Sequence, residues 1–165
     1  MKVTSISYFR NFIFGVEDSL VSTVGLLSGI AIADVPRETI FLTGAVLIFV
    51  EAFSMAAGSF LSESSAEEYA SGTSKPKRSS LISGAVMFCS YFVSGFIPLS
   101  PYVFWPVNAA LTLSILFSVV ALLVLGAISG QISKTSVVKN ALRMAIVGGV
   151  AIAIGIGAGA VLSAY

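Results

Sequence analysis

The stretch VLIFVEAFSMAAG, residues 46–58, places a carboxylate, Glu51, inside an apolar run, with a thioether, Met55, one helical turn later. A second apolar run, residues 12–33, carries two adjacent acids, Glu17 and Asp18. At the centre of a bilayer each such acid costs about 2.5–3.5 kcal/mol on insertion scales. No lysine or arginine stands deep in either run, so these acids are expected to be protonated, to face water or to bind a cation. Carboxylates alone suit hard ions, whereas a thioether is a soft ligand. A mixed Asp/Glu/Met set leans toward Fe²⁺, with Mn²⁺ as the second candidate.

Other chemistries drop out. The chain has no histidine and one cysteine, Cys89, so Ser-His-Asp and Cys-His catalysis and the usual zinc sites are absent. An acid pair of Asp18 and Glu51 is the remaining candidate for enzymatic work, and no enzyme activity is expected. A net charge of +1 argues against a nucleic-acid partner held by phosphate neutralisation. No cofactor is expected; the metal would be cargo.

The elements that must position these residues are membrane helices. Of 165 residues 56% are hydrophobic and 10% charged, and the mean hydropathy is +0.99. This composition is that of an all-α integral membrane protein. Five runs reach the length of a span: residues 12–33, 40–61, 81–99, 107–128 and 141–162. They form a single transmembrane domain, residues 1–165. A signal-peptide reading of Ala31-Ile32-Ala33 is disfavoured, because Glu17 and Asp18 interrupt the run.

Eight basic residues fall on one side of this arrangement (Lys2, Arg10, Lys75, Lys77, Arg78, Lys134, Lys139 and Arg143) and Arg37 alone on the other. The asymmetry predicts a cytoplasmic N-terminus and a C-terminus outside or in a lumen. Residues 34–38 and the sequence SPYVFWP, residues 100–106, are expected as short outer turns. Residues 62–80 are a cytoplasmic linker, whose first half continues the second helix until a break at residues 72–76. Gly25 and Gly29, and likewise Gly155 and Gly159, have the spacing that lets helix backbones approach.

Depth follows from a rise of about 1.5 Å per residue. Counted from the cytoplasmic ends of the first two spans, Asp18 and Met55 both lie roughly 9 Å inside. Glu51 is one turn deeper, level with Ser22. Residues four apart share a helix face, so Glu51, Met55, Ser59 and Glu63 form one stripe, which Glu67 extends. The expected metal ligands are Asp18, Met55, Glu51 and Glu63. Glu51, and after it Glu17, are the candidates for proton coupling. Glu67 and Glu68 either collect cations from the cytoplasm or form a solvated helix end.

The motifs EDSLVSTVGLLSG, EAFSMAAGSFLS, GFIPLSPY and RMAIVGGVAIA, in that order along the chain, resemble the vacuolar iron transporter family. The resemblance implies a homodimeric, proton-coupled exporter of Fe²⁺, and often Mn²⁺. Its location would be a cell membrane in a prokaryote and a vacuolar membrane in a eukaryote. It implies that the first two helices of each protomer line the path, with Asp18 and Met55 as the family's aspartate and methionine. Three departures stand out. The cytoplasmic metal-binding domain of plant-type members is replaced by the linker at residues 62–80. Ser59 stands where the family often has glutamate, and Glu17 where it often has asparagine. The rival reading is a non-transporting membrane subunit whose acids serve helix packing or partner contacts.

Overall fold

A computed structural model describes residues 3–72 and 78–164 of the chain. The described residues are helical almost throughout: α1 (Val3–Ile32), α2 (Arg37–Ser71), α3 (Arg78–Leu99), α4 (Pro101–Phe104), α5 (Val107–Ile132) and α6 (Val137–Leu162). All except α4 are long and apolar enough to cross a membrane, and the chain is a multi-pass membrane protein. Lys2, Lys75 and Lys77, used above to argue orientation, lie outside the described residues, as do Tyr165 and most of the expected linker break at 72–76.

Local chemistry sets the helix ends. α1 stops where Asp34 takes a left-handed conformation, φ 59°, and α2 restarts directly after Pro36. Arg37 and Glu38, expected in the turn, belong to the first turn of α2, where a carboxylate opposes the helix dipole favourably. α2 runs well past its apolar part and ends at Gly72. With φ 65° this glycine donates its N–H to the Glu68 carbonyl at 2.8 Å, a left-handed cap that suits a residue without a side chain. The sequence SPYVFWP is not a plain turn. Its residues 101–104 form α4, with Pro101 at the first helical position, where a missing N–H does no harm.

α1 is the central helix and packs against α6, α3 and α5, while α2 packs chiefly against α3 and touches α1 only lightly. Against α6 the expected glycine pairs meet each other. A Cβ on Gly29 would fall 2.6 Å from the Gly155 carbonyl oxygen, and one on Gly155 or Gly159 would collide with Gly25 or Gly29. In lipid, where apolar burial drives nothing, such backbone contact supplies dispersion energy between helices. At the end of the bundle that holds α4, Leu27, Ala31, Ile40, Ile48, Leu99, Tyr102 and Ala110 form a buried apolar cluster.

The buried face of α3 is built differently. It consists of Ser80, Ser83, Gly84, Met87, Ser90, Tyr91, Ser94, Gly95, Pro98 and Leu99, mostly small or hydroxyl residues recurring every three or four positions. Small residues bring two helices close to α3: Gly84 lies on Ala56 and Phe60 of α2, and Gly15 of α1 lies on Met87 and Ser90. Two of the four buried serines donate to main-chain carbonyls, Ser80 donates to the Glu67 carboxylate, and the Ser83 hydroxyl has no partner. Ser94, for instance, donates to the Ser90 carbonyl at 2.6 Å, and Ser19 of α1 donates to the Tyr91 carbonyl at 2.7 Å.

Candidate functional site

α3 acts as a ruler between the two acid-bearing helices. Gly95 touches both Ile48 of α2 and Ser19 of α1, so those two residues share a level. From it, Glu51 is displaced along α2 by about 4.5 Å and Met55 by about 10 Å, at 1.5 Å per residue. Asp18, next to Ser19, therefore stands closer to the level of Glu51 than to that of Met55. This register differs from the expected one, which paired Asp18 with Met55 and Glu51 with Ser22. The reason is geometric: α1 begins earlier and α2 ends later than the apolar runs suggest, and both helices pack more on α3 than on each other.

Asp18 and Glu51 lie within each other's electrostatic reach, and both act on the Tyr91 hydroxyl of α3. Tyr91 is fully buried, and its hydroxyl lies 2.8 Å from that of Ser22. Asp18 and Ser22 face a groove of about 750 Å³ between α1 and α6, whose far wall is Ala151, Gly155 and Gly159. One carboxyl group and two serines thus open onto a mostly apolar groove. Glu17 does not line this groove. The guanidinium of Arg143, on α6, is its principal electrostatic partner, so a cation does approach one of the three intramembrane acids, contrary to expectation.

Met55 belongs to a second cavity, of about 520 Å³, with Arg10, Asn11 and Phe14 of α1, Ser54, Gly58, Ser59 and Ser62 of α2, and Met87 of α3. Asp18 and Met55 are therefore not brought to one cavity. Glu63, farther along the α2 stripe, accepts hydrogen bonds from the Ser7 hydroxyl at 2.8 and 2.9 Å and lies 3.6 Å from the Arg10 guanidinium. Glu67 accepts from Ser79 at 2.5 Å and Ser80 at 2.7 Å, at the start of α3. These two acids tie helices together in this conformation. Glu68 stands in the last turn of α2, and its carbonyl receives the Gly72 cap. Among the described residues no group of three or more His, Cys, Asp or Glu is placed to hold a metal.

Tyr91 and Met87 were missed in the sequence. The signal was present: on the third span they are the two large residues in a repeating stripe of serine and glycine, which marks the face turned away from lipid.

A five-span helical bundle with intramembrane acids on α1 and α2, tied through α3, is the class of membrane protein that these features define. The VIT family model matches residues 9–81 and 68–160, and the chain belongs to the VIT family. It is similar to a vacuolar iron transporter of Centaurea cyanus, 36% identical over 88 residues, which are 52% of this chain and 36% of that protein. A vacuolar iron transporter 1 of Tulipa gesneriana is 37% identical over 82 residues, 48% of this chain and 33% of that protein. The corresponding protein of Eucalyptus grandis is 35% identical over 83 residues, 50% and 33% of the two chains. The chain thus spans about a third of the length of the curated relatives it matches.

Proposed function

We propose that this chain carries divalent metal, Fe²⁺ first and Mn²⁺ second, across a membrane out of the cytoplasm in exchange for protons. The observation that carries the reading is the juxtaposition of Asp18 and Glu51, from two helices, beside a hydroxyl pair and a groove of about 750 Å³. Two carboxylates within the membrane repel each other when both are ionised, a repulsion that a bound cation or a shared proton relieves. Competition between cation and proton for one pair is the elementary requirement of antiport. Membership of the VIT family and the iron-transporter names of its relatives support metal as the cargo.

In this reading Asp18 is the principal metal ligand and Glu51 shares the metal and carries the coupled proton. Glu17, engaged by Arg143, is the reserve candidate for the proton. Met55 meets the cation on its way in, and Glu63, Glu67 and Glu68 lie toward the cytoplasmic entrance. A second copy of the chain would supply the further ligands that a six-coordinate ion needs. The membrane would be the cell membrane of a prokaryote or the vacuolar membrane of a eukaryote. The test is flux of Fe²⁺, Mn²⁺, Co²⁺, Zn²⁺ and Ca²⁺ into proteoliposomes, with and without an inward-acid gradient. Fe²⁺ and Mn²⁺ uptake that rises with the gradient is expected, and a purified protein that moves none of these ions overturns the reading.

A further inference from the structure

α1 and α2 are clasped at one end of the molecule, where α1 begins and α2 leaves its apolar part. The Ser7 hydroxyl donates to the Glu63 carboxylate, 2.8 and 2.9 Å from its two oxygens, and the Arg10 guanidinium lies 3.6 Å from one of them. Elsewhere the two helices meet lightly, each packing more on α3. The clasp stands at the mouth of the cavity of about 520 Å³: Arg10 lines that cavity, and Glu63 directly follows Ser62, its outermost α2 residue. Asp18 lies eight residues beyond Arg10 on α1, about 12 Å deeper. At Gly58 the cavity wall is open sideways, with nothing within 4 Å of where a Cβ would stand, and within the spans that side is bounded by lipid or by a second copy. Water and ions therefore reach the cavity past Arg10 and Glu63. The clasp is also built to open. The Arg10 side chain is 70% exposed, and an ion pair with an exposed partner is a weak bond. Inside, the buried Asn11 side-chain nitrogen and the Ser59 hydroxyl have no partners. The amide N–H calls for an acceptor, which water entering an opened cavity supplies.

We propose that Ser7, Arg10 and Glu63 form a gate at the water-facing end of the α1–α2 seam, and that an arriving divalent cation opens it. The gate deepens the transport reading and rests on it. Arg10 and the cation are both positive and compete for one carboxylate, that of Glu63. A cation that binds this carboxylate when released, and not when engaged, shifts the equilibrium toward the open form. With Glu63 taken, the guanidinium swings into water, and the like charge that opposes entry leaves the mouth. Arg10 thereby becomes an access-controlling residue, placed two helical turns before the acid pair.

The test follows a reporter thiol, Ser59→Cys, in a Cys89→Ser background, since Cys89 is a free, exposed thiol. The purified chain in lipid nanodiscs is treated with iodoacetamide, which is small and uncharged, and the reaction at the reporter should be slow. It should quicken at least tenfold when Mn²⁺ is added, an arm that needs no substitution in the clasp. Without metal it should quicken equally in Arg10→Gln and in Glu63→Gln, and Mn²⁺ should add nothing further in Glu63→Gln. Arg10→Lys, which keeps the charge, should stay slow. Ser114→Cys on α5, where the native serine is 0% exposed, controls for general loosening and should stay unreactive throughout. Reporter rates that ignore Mn²⁺ or both Gln substitutions overturn the gate, as does Ser114→Cys reacting in step with the reporter. Labelling needs no transport, so Fe²⁺ and Mn²⁺ flux measured in parallel separates the two ideas. A protein that transports with no change in labelling refutes the gate alone. One whose labelling is gated but that moves no metal refutes transport alone.

Discussion

The hydroxyls of Tyr91 on α3 and Ser22 on α1 lie 2.8 Å apart, at the place where the charges of Asp18 and Glu51 also converge. This bond joins the central helix to α3 and fixes the orientation of Ser22 on the wall of the α1–α6 groove. Tyr91→Phe removes one hydrogen bond and keeps the ring, so it is expected to lower stability by about 1 kcal/mol. Metal flux should fall in part while expression stays normal. Thermal unfolding in detergent and proteoliposome flux check the two effects, and unchanged values in both would show that the hydroxyl pair plays no part.

Asp18→Asn keeps the shape of the side chain and removes the charge that offsets dehydration of a cation. Transport of every metal should be abolished while the protein remains folded. Normal Fe²⁺ uptake by this variant in liposomes would remove Asp18 from the path.

Glu51→Gln is fixed in a neutral state and no longer repels Asp18. On the antiport reading it should lose the response to a pH gradient, yet retain part of its metal binding. Flux measured with and without the gradient decides the matter. A variant that responds like the parent would move the proton role to Glu17, whose partner Arg143 then becomes the next substitution.

Orientation has its own check. The eight-to-one distribution of basic residues predicts that a reporter active only in the cytoplasm is silent when fused after Tyr165. A strong signal there would reverse the direction of transport as well as the topology.

The helices and their order were legible because continuous apolar runs of span length have few alternatives in lipid. The small-residue pairs Gly25/Gly29 and Gly155/Gly159 were legible too, since four-residue spacing places them on one face. What the sequence did not display was which faces meet. Hydropathy alone does not mark a helix interface in a membrane, because lipid and a neighbouring helix are equally apolar. The expected level pairing of Asp18 with Met55 assumed that α1 and α2 pack chiefly on each other, whereas each packs more extensively on α3. The hydroxyl stripe Ser80, Ser83, Ser90 and Ser94 held that information, but a span with several serines reads only as a less hydrophobic span until its period is counted. Glu63 and Glu67 follow Ser59 on α2 at four-residue spacing. Their engagement by Ser7, Arg10, Ser79 and Ser80 depends on helix ends that only three-dimensional packing defines.

The α1–α6 contact yields a stability prediction with a built-in control. A Cβ on Gly155 would collide with the Gly25 carbonyl, whereas one on Gly149, on the same helix, meets nothing within 4 Å. Gly155→Ala should therefore destabilise the protein by about 1–3 kcal/mol through overpacking. Gly149→Ala should be neutral or slightly stabilising, as alanine favours helix over glycine. Thermal unfolding of both variants tests the pairing, and equal melting temperatures would mean that the two backbones are farther apart than described.

Tyr102, in the α4 turn outside the spans, offers a pH prediction. Its side chain is 1% exposed and its hydroxyl has no hydrogen-bond partner, and burial pushes its phenol up to about 12 from the ordinary 10.0. Below pH 10 the folded and unfolded chains both hold this proton, so the residue contributes no pH dependence. Between pH 10 and about 12 the unfolded chain releases the proton while the folded chain retains it, and stability falls as pH rises. Above that range both are ionised and the slope vanishes. Tyr102→Phe discards a hydroxyl that makes no bond, so at pH 7 it should leave stability unchanged or slightly higher. At pH 11 the variant should be the more stable protein, because the titration of this phenol is gone. Melting temperatures of both proteins in detergent at pH 7, 10 and 11 supply the comparison, and parallel losses would assign the alkaline sensitivity to other groups.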